Sequence, residues 1–291
     1  MIAYLGTGLL GSAFVRALLA RGLTVHVWNR SADKAHHLEQ YGARVFNDPA
    51  DAVRGAERVH VTLSDDSAVD DVLERARPGF GDGVIIVDHT TTSPVLTGER
   101  ASRWTERGVA FLHAPVFMGP PNALNATGVM LGSGDQARFD ALAPHLEKMT
   151  GKLIYLGPDP SRAAGIKLLG NHFIVVMVAG LMDTLALAKA FGIPQDEVTR
   201  LFDVFNPGAM VPARLARVRS ADYANPSWNL AMARKDVRIM TEAAAAGDVA
   251  LQALPGIAAM MEVWMARGHA NDDWTVISTD ALESSPGRWT T

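Results

Sequence analysis

The feature that most constrains this chain is Gly6-Thr7-Gly8-Leu9-Leu10-Gly11, which follows the apolar run at residues 2–5 and opens a helical pattern. A strand ending at Leu5 must turn sharply there and bring backbone amides close to a ligand. That requires glycine at Gly6 and Gly8, while Gly11 lets the next helix pack closely on the sheet. The helix's amino end carries a partial positive charge, so the turn suits the pyrophosphate of a dinucleotide. Three glycines at this spacing are a weak signal alone. Their setting in a strand, turn, helix and second strand makes the signal strong.

Further apolar runs at 24–28, 44–46, 58–63, 84–88 and 109–112 alternate with helical patterns. This predicts an α/β domain of the Rossmann, doubly wound type, with a mainly parallel sheet covered on both faces. Runs at 128–131 and 153–156, separated by a helical stretch at 136–149, read as additional strands at the end of that sheet. Gly157-Pro158-Asp159-Pro160 then breaks the chain. Beyond it Ala, Leu and Met dominate and no β-rich run appears. The expected organisation is a dinucleotide-binding domain over 1–158 and an all-helical domain over 159–291. In the latter, Ser161 caps a helix that reaches Phe191 before Gly192 and Pro194, and further helices occupy 195–205, 232–246 and 250–267. The stretch after Asn271 shows no strong period. The most apolar segment, 173–182, is about half the length needed to cross a bilayer and reads as a buried helix.

A chain of 291 residues with 48% hydrophobic and 20% charged content has enough apolar material for two domains. A net charge of −4 gives no general attraction to nucleic acid or to an anionic membrane, so neither is an expected partner. The absence of cysteine excludes disulfides, thiolate metal sites and a cysteine nucleophile. It also fits a reducing compartment. Residues 1–5 run straight into the glycine turn, which predicts no secretory leader and a cytoplasmic protein. The histidines show no metal-ligand spacing, and no GxSxG elbow is present. The long apolar helix exceeds what one small domain covers, so a homodimer is expected.

The second strand ends in Trp28-Asn29-Arg30-Ser31, with no acid to meet a ribose 2′-hydroxyl. Asn29 and Ser31 can instead hydrogen-bond a 2′-phosphate, Arg30 can offer paired donors and stack on adenine, and Lys34 adds charge one helical turn on. The cofactor implied is NADP(H). The plainer reading makes Arg30 and Lys34 solvated surface residues. Lys167, taken alone, reads as an exposed helix lysine. Its neighbours Ala163, Ala164, Gly170 and Asn171 are small or polar, however, and would leave room for a ligand, with Asn171 on the same helix face.

Four blocks in order, GTGLLG at the start, HAPVFMGP at 113–120, KLLGN at 167–171 and KD at 235–236, resemble the β-hydroxyacid dehydrogenases. That group includes 3-hydroxyisobutyrate dehydrogenase and is related to 6-phosphogluconate dehydrogenase and the imine reductases. The resemblance implies hydride transfer between a nicotinamide and a small hydroxyl or carbonyl substrate. It makes Lys167 the acid or base and Asn171 its orienting partner. It further implies cofactor contacts from Leu63, Ser64, Thr91 and Lys235, and substrate contacts from Phe117, Met118, Gly119, Lys167 and Asn171. Where the family's substrate block reads DAPVSGG, this chain has His113, Phe117 and Met118 in place of Asp, Ser and the first Gly. Gly170 replaces the first Asn of KxxNN. A bulkier or less acidic carbonyl substrate is therefore expected. Imine reduction and a non-catalytic NADPH-binding module are the alternative readings.

Overall fold

The computed structural model describes residues 1–282. Six strands, β1 (Ile2–Leu5), β2 (Val25–Trp28), β3 (Arg44–Val45), β4 (Arg58–Val61), β5 (Ile85–Asp88) and β6 (Ala110–His113), form one sheet in the order β3-β2-β1-β4-β5-β6. All five pairings are parallel. Parallel strands with both faces covered are mostly apolar; β1 and β4 are buried at every position, although β4 carries Arg58 and His60. One core face gathers Tyr4, Phe14, Leu38 and Leu112; the other gathers Leu5, Trp28, Ile86 and Trp104. The strand order reverses beside β1, so the doubly wound expectation is met and the crevice falls at the carboxyl edge of β1 and β4.

One expectation is corrected. The strands at the end of this half do not extend the main sheet. β7 (Val116–Phe117), β8 (Val129–Gly132) and β9 (Lys152–Tyr155) form a separate three-stranded sheet, with β7 antiparallel and β9 parallel to β8. Pro115 supplies the physical reason. It has no N–H to continue the β6 ladder, and its carbonyl turns to accept from Leu131 N at 2.9 Å.

The α-helices are α1 (Leu9–Ala20), α2 (Ala32–His36), α3 (Pro49–Val53), α4 (Asp66–Ala76), α5 (Pro94–Glu106), α6 (Pro120–Asn125), α7 (Gln136–Leu146), α8 (Arg162–Ala190), α9 (Gln195–Val204), α10 (Val211–Ser220), α11 (Leu230–Ala246) and α12 (Leu254–Ala266). Of these, α10 is not apparent from periodicity. The stretch after Asn271 holds a 3-10 segment, Trp274–Ala281, and residues 283–291 lie outside the described residues.

The chain forms two compact units that divide at Asn171/His172 rather than at Pro158. The first turns of α8 belong to the first unit because Ser133 holds them there. Its hydroxyl donates to the Pro160 carbonyl and accepts from Ala163 N at 2.9 Å. The second unit has its own core, formed by Leu230, Val237, Met261, Trp264 and Val276. α8 contributes nothing to that core. Asp183 on α8 is nevertheless buried and accepts backbone hydrogens from Gln252, Ala253 and Leu254, which caps α12. The outer face of α8 is bare, which overturns the expectation that 173–182 is buried: Phe173 is 54% and Val175 67% exposed. The apolar character also runs further than that segment, and by length and composition the 29-residue helix would suffice to cross a bilayer.

Candidate active site

The three glycines of the turn are needed for different reasons. Gly6 has φ +96°, and a β-carbon there would collide with the Thr62 carbonyl. A β-carbon on Gly11 would strike the carbonyl of Gly6, so Gly11 closes the turn on itself. Gly8 is unlike both, since a β-carbon would meet nothing within 4 Å. The space beside it is a cleft of about 500 Å³, and no side chain caps the amino end of α1. The first N–H groups of a helix lack internal partners. Open space at such an end fits a pyrophosphate.

The cleft wall gathers Gly8, Leu9, Leu10 and Gly11 with Asn29, Arg30, Ser31 and Lys34 from the end of β2 and the start of α2, and with Leu63, Ser64 and Thr91 from the loops after β4 and β5. Gly6 and Thr7 lie outside this wall, with Thr7 buried. Asn29 has a role the sequence does not reveal. Its Oδ1 accepts from Thr7 N at 2.9 Å and its Nδ2 donates to the Ser31 carbonyl at 2.9 Å, so it braces the turn against the end of β2. That leaves Arg30, Ser31 and Lys34 as the free donors at this end.

Trp28, Thr62, Ala68, Asp71, Val72 and His89 also line the cleft, and sequence reasoning missed them; Thr90, which precedes Thr91 in the loop after β5, lines it as well. Their only signal is position near a strand's carboxyl end or on the following helix. Thr90 ties the two loops together, since its hydroxyl accepts from Leu63 N at 3.0 Å. Thr90 N in turn donates to buried Asp88 at 2.9 Å. Burial works to raise the Asp88 pKa, but the His113 ring 3.6 Å away and the Thr90 contacts outweigh it and hold the carboxyl below its ordinary value.

His89 continues a polar line into the sheet. Its Nδ1 lies 2.7 Å from the Ala114 carbonyl, which can only accept, so Nδ1 carries the hydrogen and Nε2 takes one from His60 Nδ1 at 2.9 Å. Both rings are buried among aromatics, His60 against Tyr4 and His89 against Phe14. Burial pushes His89 down to about 4 and His60 well below its ordinary value.

Lys167 lies on the part of α8 that belongs to the first unit and is 9% exposed. Nζ donates to Asn171 Oδ1 at 2.9 Å and sits 4.4 Å from the centroid of the Phe117 ring. Burial pulls its pKa below the ordinary lysine value. The structure thus joins Lys167, Asn171 and Phe117. It also corrects the expected space around the lysine: Ala163 and Ala164 are fully buried, and the Phe117 ring occupies the room over Gly170. Met118 packs beside Gly128, and Gly119 begins α6 with its N–H donated to Asn122 Oδ1 at 3.0 Å. A β-carbon on Gly165 would lie 3.9 Å from Pro94, which places this stretch of α8 beside the start of α5, just beyond the Thr91 loop. Lys235 lies on α11 in the second unit, and its ammonium pairs with Asp236 at 2.8 Å.

A parallel sheet with its glycine turn at the switch point and a lined cleft at its carboxyl edge defines a dinucleotide-binding Rossmann protein. Residues 1–157 match the NAD binding domain of 6-phosphogluconate dehydrogenase, and the chain belongs to that family. Human cytokine-like nuclear factor N-PAC is 30% identical over 274 residues, 90% of this chain; the chain spans 47% of that protein's length. The 3-sulfolactaldehyde reductase of Escherichia coli is 26% identical over 287 residues, covering 95% of this chain and 94% of the enzyme. An imine reductase from Myxococcus stipitatus, solved with NADP+, superposes with a TM-score of 0.90 at 22% identity over 96% of this chain and 98% of that one. A variant of the same enzyme, solved with NAD+, gives 0.88 at 21% identity over 96% and 97%. At these identities the two structures show a shared fold.

Proposed function

We propose that this protein is an NADP(H)-dependent oxidoreductase that interconverts a carbonyl and a hydroxyl group on a small substrate, with Lys167 as the proton-transferring group. The observation that carries this is the enclosed ammonium of Lys167, hydrogen-bonded to Asn171 in the same unit as the glycine turn. The cleft residues fit a nicotinamide dinucleotide, with the pyrophosphate at Gly8 to Gly11 and a 2′-phosphate at Arg30, Ser31 and Lys34. Such a cofactor supplies the hydride when bound. In the reducing direction Lys167 Nζ donates a proton to the carbonyl oxygen as the carbon is reduced, and the alcohol leaves. In the oxidising direction the neutral amine removes that proton, and burial favours the neutral form. Asn171 Oδ1 fixes the rotamer of the lysine in either direction.

The 3-sulfolactaldehyde reductase relative supports the carbonyl chemistry. The imine reductases share the fold, and imine reduction is a second reading that the aromatic wall at Phe117 favours. N-PAC, named as a nuclear factor, motivates the reading from another class, a non-catalytic dinucleotide-binding module. Lys167→Ala tests the assignment. NADPH-dependent turnover is expected to fall about 100-fold or more while NADPH binding and fold are retained. Wild-type turnover in that variant would refute the role of Lys167. If the unaltered protein binds NADPH but never oxidises it with aldehydes, keto acids or cyclic imines, the non-catalytic reading holds.

We further propose that two copies pair through the bare face of α8 in the cytoplasm. The inner face is already packed, since buried Asp183 caps α12 and a β-carbon on Gly247 would press on Ala190. A helix so engaged on one side is better covered by protein than by lipid.

A further inference from the structure

Phe117 and Gly170 are 53 residues apart in the chain but form one feature in space. A β-carbon on Gly170 would lie 2.5 Å from Phe117 Cε1, so the ring fits only because residue 170 has no side chain. The same ring faces Lys167 Nζ at 4.4 Å. Most of the neutral donors nearby are already engaged or missing. The Gly119 N–H is donated to Asn122 Oδ1, and the Asn122 amide nitrogen donates to Thr127 Oγ1 at 3.0 Å. Pro120 and Pro121 have no N–H to offer, and Asn171 is held through its Oδ1, which accepts from Lys167 and leaves its amide nitrogen as a neutral donor.

A substrate carboxylate in this cluster would find one strong partner, the Lys167 ammonium. Taking it would displace the carbonyl oxygen from the group that must protonate it. An uncharged apolar substituent, by contrast, gains from contact with the ring without losing hydration. We infer that Phe117, seated over Gly170, is the specificity-determining residue, and that it selects uncharged carbonyl compounds with an apolar substituent over those that carry a carboxylate. This inference rests on the reductase reading above.

A matched pair of substrates separates the effects of charge and shape. With NADPH, methyl 4-oxobutanoate is expected to show kcat/KM at least tenfold above 4-oxobutanoate. Phe117→Ser, alone or with Gly170→Asn, is expected to bring that ratio to near one, while Phe117→Leu keeps it. The single Phe117→Ser change removes volume and adds only a hydroxyl, so it serves if the double variant fails to fold. Equal or better turnover of the acid by the unaltered protein, or an unchanged ratio in Phe117→Ser, would overturn the inference and leave the reductase reading intact. If neither compound nor hexanal oxidises NADPH while fluorescence titration shows the cofactor bound, the reductase reading itself has failed, and the inference falls with it.

Discussion

In the proposed NADP(H) reading, Arg30 stands where the 2′-phosphate would be met. Its neighbour Asn29 has both ends of its amide tied to backbone, so Arg30 and Lys34 are the cations at this end of the cleft. Arg30→Ala is expected to raise the Kd for NADPH about tenfold, the worth of one charge-assisted contact at a solvent-exposed rim. The Kd for NADH should change little, and fluorescence titration with both cofactors checks the difference. Residue by residue, the glycine turn could be read from the sequence because steric rules at Gly6 and Gly11 are local. The bracing role of Asn29 could not, because it depends on Thr7, 22 residues earlier in the chain. Phe117 was visible as a departure from the family's block, but its partner at Gly170 was not, since only folding brings β7 to α8.

At the scale of elements, β4 carries His60, and the residue just past the end of β5 is His89, so the two form a buried pair at the parallel sheet. Both histidines are held neutral by burial, with His89 at about 4. A histidine whose folded pKa lies below its unfolded value is protonated first in the unfolded chain. It therefore lowers stability as pH falls from about 6.5 towards 4 and has no effect above that range. The His89 shift is worth on the order of 3 kcal/mol once pH reaches 4. Thermal melts at pH 7, 5.5 and 4.5 are expected to show a falling Tm, and His89→Asn should flatten that fall. A pH-independent Tm across this window would contradict the assignment. Strand periodicity marked β4 and β5 correctly but gave no hint that their polar residues meet. It also misassigned β8 and β9, because the consequence of Pro115 for the β6 ladder lies in hydrogen bonding and not in hydropathy.

At the scale of the molecule, the two units differ in how completely the sequence describes them. The first follows from strand-helix alternation. The second was expected only as a set of helices, because helical periodicity alone does not say which face finds a partner within the chain. The outer face of α8 finds none among the described residues, with Phe173, Val175 and Met182 each more than half exposed. If two copies cover it, light scattering will give twice the chain mass, and Val175→Lys will shift the protein towards the monomer by placing a charge in the buried seam. A single-chain mass for the unaltered protein at micromolar concentration would remove the dimer from the account.

The interlock of Phe117 with Gly170 also imposes a direction on sequence change. A side chain introduced first at 170 runs into the ring, whereas a smaller residue introduced first at 117 leaves a space that the next substitution can fill. The two positions are thus exchanged more easily in one order, ring before glycine. The easier route that remodels this wall, natural or engineered, passes through a form with a small residue at 117 and an unfilled hollow beside Lys167.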